Sequence, residues 1–359
     1  EHKATIASET AAAAGAGITT LCCPPDTQPL IDTPAVAQLI RQTAERHGLA
    51  RVVPAGALTK GLDGEQISEM AALKQAGCPV LSNGDRPIVN TLVQRRALEY
   101  AATFGLTSLL RPQDHYLRDR GCVHEGRVGT RLGLPGIPAA AETVAVARDL
   151  ALAEQTGARI HFRGLSTARA TRMLIEARRE HLSVTADVSA HQLHLTEMDV
   201  EGFDSNCHVI PPLRTLTDRD ALRSAVANGG ISAICSDHQP HELDAKLAPF
   251  PATAPGISAL DTLLPLTLRL VQEGIMDLPD AIARLTSGPA EILGLPVGRL
   301  DAGYSADICI FDPQRSWELT AHSLRSQGHN TPFLGWEMQG MVRYTLFAGR
   351  VVFEPEKGS

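Results

Sequence analysis

The 359-residue sequence is poor in aromatics, at 4%, so its interior must be built mainly from Ala, Leu, Val and Ile. It lacks any Cys-x-x-Cys spacing. Cys22, Cys23, Cys78, Cys122, Cys207, Cys235 and Cys309 are scattered, several in apolar runs where a thiol behaves as a small hydrophobe. This usage suits free thiols in a reducing compartment, and the expected location is cytoplasmic. There is no basic-then-apolar leader and no apolar run long enough to cross a bilayer, so no membrane partner is expected. Basic charge is not in excess: 33 Lys and Arg face 40 Asp and Glu, a net charge of −7, which offers no attraction for nucleic acid. Gly-x-Ser-x-Gly, P-loop and Gly-x-Gly-x-x-Gly motifs are missing, and Gly15 to Thr19 lacks the rest of a dinucleotide fingerprint. A small molecule or another protein is the partner class that remains.

The chain does contain short apolar, β-branched runs alternating with segments of helical length, the pattern of β/α units around a parallel sheet. Strands are predicted at Gly17 to Cys22, Arg51 to Leu58, Pro79 to Ser82, Ser108 to Arg111, Arg159 to Leu165, Ser183 to Ser189 and Ile231 to Ser236. Helices are predicted at Ala4 to Ala16, Pro34 to Arg46, Gly64 to Ala76, Val89 to Phe104, Ala139 to Thr156, Ala168 to Glu180, Asp218 to Ala227, Ala259 to Gln272 and Leu278 to Leu285.

Seven strands are one short of a closed (β/α)₈ barrel, whose chemistry sits at the strands' C-terminal ends. The sequence opens on "EHKATIASE", a helix start, and the expectation is a TIM-type barrel whose first strand lies upstream. After Gly298 alternating strands joined by Gly-containing turns predict a small β-sandwich-like domain. The division expected is a barrel over 1–296 and the β-domain over 297–359.

Five blocks, "TTLCCPPDTQP", "RLGLPGIPAAAE", "PPLRTLTDRDAL", "SDHQPH" and "HNTPFLGWEMQGMVRYTLFAGRVVFE", run in order along the chain. Together they resemble dihydroorotases of the amidohydrolase superfamily. The resemblance implies two metal ions, held by a His-x-His after strand one, a bridging carboxylate after strand four, histidines after strands five and six, and an aspartate after strand eight. The implied chemistry is cyclic-amide hydrolysis, in which the metals activate water and polarise the carbonyl while the aspartate shuttles the proton.

Position by position, this chain departs from that pattern. The His-x-His would lie before Glu1. The run "SNGDRP" puts Asn83 and Gly84 where acids belong, with Asp85 displaced along the loop. The run "RPQD" puts Arg111 in place of a histidine ligand, and a guanidinium is always charged with no lone pair to donate. A unit charge ~4 Å away costs about 4 kcal/mol at an effective dielectric of ~20, and a dication about twice that. In "HFRGLST" Gly164 stands at the next ligand position; His161 remains but points to the opposite face of the strand, as a wall residue.

Asp237, followed by His238, survives as a remnant of the catalytic position, and beside Arg111 it reads as half of a buried ion pair. His241 survives as a remnant of the substrate-binding loop. Asp26 and Ile210 replace amides that would recognise an anionic substrate, which weakens that binding. His115, His191, His194 and His208 read as surface or loop residues rather than as a new metal site.

The changes fall on the metal site while the scaffold blocks Arg131 to Ala141 and Asn330 to Phe353 stay close to the family. The expected protein has no catalytic, substrate-binding or metal residue at work, with Asn83, Arg111 and Gly164 as degenerate positions and no cofactor. Dihydroorotases of this type assemble with aspartate transcarbamoylase, so the resemblance implies a non-catalytic subunit needed for assembly or stability of that complex in pyrimidine synthesis. Homo- and hetero-oligomers are expected. The alternative is an active zinc dihydroorotase with a rearranged site.

Overall fold

A computed structural model of the chain describes residues 3–355, so the first two residues of "EHKATIASE" and the last four of the predicted β-domain lie outside the described residues. In chain order the strands are β1 (Thr20–Cys23), β2 (Arg51–Ala57), β3 (Val80–Ser82), β4 (Thr107–Leu110), the short β5 (Val123–His124) and β6 (Gly136–Ile137), then β7 (Arg159–Phe162), β8 (Val184–Ser189), β9 (Ala233–Cys235), β10 (Ile308–Glu318), β11 (Glu337–Phe347) and β12 (Arg350–Phe353). Seven of them form one parallel sheet in the order β1-β2-β3-β4-β7-β8-β9, curled into a half-barrel.

Each of the seven predicted strands is present, because a strand covered by helices on one side and by the barrel core on the other must be apolar almost throughout. β2 shows this plainly: every residue from Val52 to Ala57 is buried.

The helices bury narrow stripes of small residues. In Pro34–His47 the buried positions are Ala37, Ile40 and Ala44, three and four residues apart. Proline opens that helix, and Gly48 ends it at φ 63°, the left-handed conformation glycine adopts freely. Thr167 caps Ala168–Arg179, whose buried face is Ala170, Thr171, Leu174 and Ala177.

One predicted helix is corrected. Over Gly64 to Ala76 only Met70–Gln75 is helical. Gly64 turns at φ +78°, and residues 59–67 fold back as a loop closed by a bridge between Thr59 and Ile67. The amphipathic spacing was real, but the segment's backbone bonds go to that loop.

The C-terminal strands β10, β11 and β12 make an antiparallel sheet with two register shifts between β10 and β11. It is pinned to the half-barrel by the ion pair of Arg51 with Asp307 at 2.7 Å and by Thr345 Oγ1 donating to the Ala14 carbonyl. Gly340, at φ +97°, admits the Leu268 side chain to a distance that a Cβ would block. No helix among the described residues is long and apolar enough to cross a membrane.

Candidate functional site

The loops leaving the C-terminal ends of β1, β3, β4, β7, β8 and β9 converge on one mouth, so residues far apart in sequence meet there: Asp26, Asp85, Arg111, Arg163, His191 and Asp237. Arg111 lies at the centre with its side chain only 5% exposed. Its Nη1 donates to Asp85 Oδ1 at 2.9 Å and lies 3.8 Å from Asp237 Oδ1. Burial would push the Asp85 carboxyl up, but the guanidinium groups of Arg111, Arg163 and Arg118 hold it below the usual carboxylate range. At Asp26 the balance is reversed: burial and the neighbouring Asp85 raise it by more than Arg163 and Arg86 lower it.

The Asn83 amide is spent on the loop. Its Oδ1 accepts from Thr59 Oγ1 at 2.7 Å, and its Nδ2 donates to the Arg86 carbonyl at 3.0 Å. Gly164 turns at φ +63°, and its N–H donates to Asp187 Oδ1 at 2.6 Å. The other Asp187 oxygen meets His161 Nε2 at 2.9 Å, while His161 Nδ1 meets Thr185 Oγ1 at 2.8 Å. These bonds outweigh burial, so the Asp187 carboxyl stays low. Cys235 adds an S–H at 3.3 Å from Oδ1.

Arg163 follows His161 by two residues and therefore leaves β7 on the same side. The carboxylates of Asp85, Asp237 and Asp187 hold it firmly protonated despite its burial. Asp237 is in the left-handed region at φ 47° and accepts from Gln239 Nε2 at 3.2 Å and Ser189 Oγ at 3.4 Å. Asparate is among the few non-glycine residues that tolerate that conformation.

His238 points elsewhere: its Nδ1 accepts from the Ala259 N–H, so Nε2 donates to Glu9 at 2.8 Å. Ser326 Oγ donates to the same Glu9 oxygen at 2.7 Å, and these partners hold Glu9 low against its burial. His241 is tied to the loop, with its backbone N–H on Asn330 Oδ1 and its Nε2 2.9 Å from the Pro255 carbonyl.

Of the four remaining histidines, only His115 is exposed. His191, His194 and His208 lie on loops and turns but are buried, which corrects the surface reading. Loop residues on a barrel face are roofed by the next crossover: His194 Nε2 sits 2.8 Å from the Leu266 carbonyl, and His208 stacks on Phe250.

Arg163 and Asp187 were not among the residues singled out from the sequence. For Asp187 the signal was a charged residue inside an apolar strand run, which must find a partner; Arg163 was masked because His161, expected on the barrel wall, instead shares Asp187 with the Gly164 N–H.

These donors do not fit the pair of metal ions that the resemblance implies. Asn83 is neutral and engaged, Arg111 is a cation, Gly164 has no side chain, and both Asp187 oxygens are occupied. Among the described residues no group of three or more His, Cys, Asp or Glu could hold a metal ion.

Behind the mouth, Arg214 is buried as a scaffold cation, donating to Ser166 Oγ, His124 Nδ1 and the Ile137 carbonyl at 2.8–3.1 Å. Glu142 accepts from the N–H and hydroxyl groups of both Ser166 and Thr167, at 2.5–3.2 Å.

A half-barrel of parallel strands with loop residues gathered at its C-terminal mouth, and a small antiparallel sheet attached, is the architecture of the amidohydrolase barrels. The L-hydantoinase (dihydropyrimidinase) of Arthrobacter aurescens superposes on it with a TM-score of 0.88 over 98% of this chain and 81% of that one, at 22% identity, which speaks for the fold. Residues 1–170 match the Dihydro-orotase-like family and residues 246–353 the amidohydrolase family. A "Dihydroorotase-like protein" of Pseudomonas putida is 52% identical over 355 residues, covering 99% of this chain and 84% of the relative. A "Dihydroorotase" of Geobacter sp. (strain M21) is 41% identical over 354 residues, 99% and 83% of the two chains. The chain therefore belongs to the dihydroorotase-like family.

Proposed function

We propose that this protein is a catalytically silent, metal-free dihydroorotase-like subunit that is kept for the assembly or stability of an aspartate transcarbamoylase complex in the cytoplasm. The observation that carries the reading is Arg111: a buried cation paired with Asp85 and reaching toward Asp237 stands where the family would place a metal ligand. The neighbouring Asp187, His161 and Gly164 are likewise spent on one another, which supports a cluster of paired groups rather than a ligand set. A chain that keeps its scaffold under those conditions contributes surface and stability, and a partner that needs it is stabilised by mass action.

Co-expression with aspartate transcarbamoylase tests this. The expected result is a large co-purifying complex, whose transcarbamoylase is more active or more stable than alone and which forms equally well with Asp237→Ala. Separate elution at micromolar concentration overturns the reading. The relatives named dihydroorotase at 41–44% identity favour a second reading, an active zinc dihydroorotase. Elemental analysis of the purified chain separates the two: the silent subunit carries less than one zinc per chain, because catalytic zinc needs about three protein ligands.

A further inference from the structure

Arg111 has one part of its guanidinium spent and one edge free. Nη1 meets Asp85, whereas Nε and Nη2 are both buried and have no hydrogen-bond partner. Those two N–H groups are parallel and together form the side-on edge that grips both oxygens of a carboxylate or a phosphate. Arg163 Nη1 and Arg118 Nε are buried and unpartnered as well, and so are both ring nitrogens of His191. Native proteins leave few such groups unmade, because each has given up water without recompense. The cleft on this side of the mouth is walled by Asp85, Arg86, Gln94, Arg111, Arg148 and Asp149, three guanidinium groups against two carboxyls. Arg148 and Asp149 satisfy each other at 2.9 Å and Arg86 Nη1 donates to the Gly61 carbonyl, which leaves Arg111 as the cation there with unmade hydrogen bonds.

Asp85 is the exposed partner. Its side chain is 45% exposed, and it follows Gly84, which turns at φ +61°. We propose that this cleft binds a small oxyanion gripped side-on by the Nε and Nη2 edge of Arg111, with Asp85 on Nη1 acting as an internal carboxylate whose charge opposes the ligand. The site is independent of the assembly reading, since it requires no partner chain. It takes an anion of a few heavy atoms, because the free edge lies below the surface and offers two donors.

The test is isothermal titration of the full chain in Hepes at pH 7 with inorganic phosphate and, separately, with succinate. Saturable binding of at least one is expected, weakened tenfold or more in Arg111→Gln and tightened about tenfold in Asp85→Asn, which removes the competing charge. Phosphate alone assigns a tetrahedral anion, succinate alone a carboxylate, and both together a general oxyanion site. Binding of neither, or binding indifferent to Arg111→Gln, overturns the proposal. Should Arg111→Gln fail to fold, Asp85→Asn decides: a purely structural ion pair predicts unchanged or weaker binding there, and that result also overturns it.

Discussion

Lowering the pH from 7 to 5 is expected to remove about 6 kcal/mol of folding stability through three buried histidines. His191, His194 and His208 are 2%, 9% and 4% exposed, and burial pushes each down to about 4 from an ordinary 6.5. At His191 the Asp237 carboxylate pulls upward and Arg111 pushes further down. Because the folded value lies below the unfolded one, this contribution is complete above 6.5 and is lost as pH falls toward 4, where only the unfolded chain takes up the proton. At pH 5 each histidine forfeits about 2 kcal/mol, and three together approach the ~5–15 kcal/mol that a folded domain possesses. Asp149 and Asp261, whose carboxyls burial raises, work in the opposite sense and soften the lower end of the curve. Urea unfolding at pH 7, 6 and 5 measures the slope. His191→Gln removes one proton from the difference, so its slope between 6.5 and 4 should be shallower by about 1.4 kcal/mol per pH unit. A wild-type curve that is flat over this window, or a variant with an unchanged slope, refutes the assignment.

Arg214→Met should cost about 3 kcal/mol or more in chemical denaturation, because it strips three partners of a buried guanidinium at once. Glu142→Ala should cost a similar ~3 kcal/mol, since the N–H and hydroxyl groups of Ser166 and Thr167 would lose their common acceptor. Arg111→His should produce no dihydroorotate hydrolysis in a spectrophotometric assay, because Gly164 still offers no side chain and Asn83 remains bonded to Thr59. Turnover in that single variant would revive the zinc-enzyme reading.

The parallel strands were legible because a strand buried on both faces must be apolar without interruption, and a four-residue apolar run between helices has no other use. Helix limits at Pro34 and Thr167 were legible from their caps. The segment after Gly64 was not, because its helical-length pattern competes with a turn that closes between Thr59 and Ile67 and whose Thr59 side chain donates to Asn83, 24 residues away. The short pair β5 and β6 escaped for a related reason: two residues carry no periodicity. At the mouth, single positions such as Asn83, Arg111 and Gly164 could be read from residue type alone. What they now bond to could not, since the partner of Gly164 is Asp187, contributed by the neighbouring strand.

The way the mouth is paired also bears on history. In an ordinary degenerate site, a lost ligand can return by one substitution at little cost. On the metal-free reading proposed above, the vacated roles are taken up by neighbours: the Gly164 amide and His161 share Asp187, and Arg111 answers Asp85. Restoring a histidine at 111 removes one of the two cations, Arg111 and Arg163, that face Asp85 and Asp237. Restoring a side chain at 164 asks it to accept a left-handed backbone at φ +63°. On that reading each first step back costs stability before it restores any chemistry, and the ion-pair cluster acts as a ratchet against return.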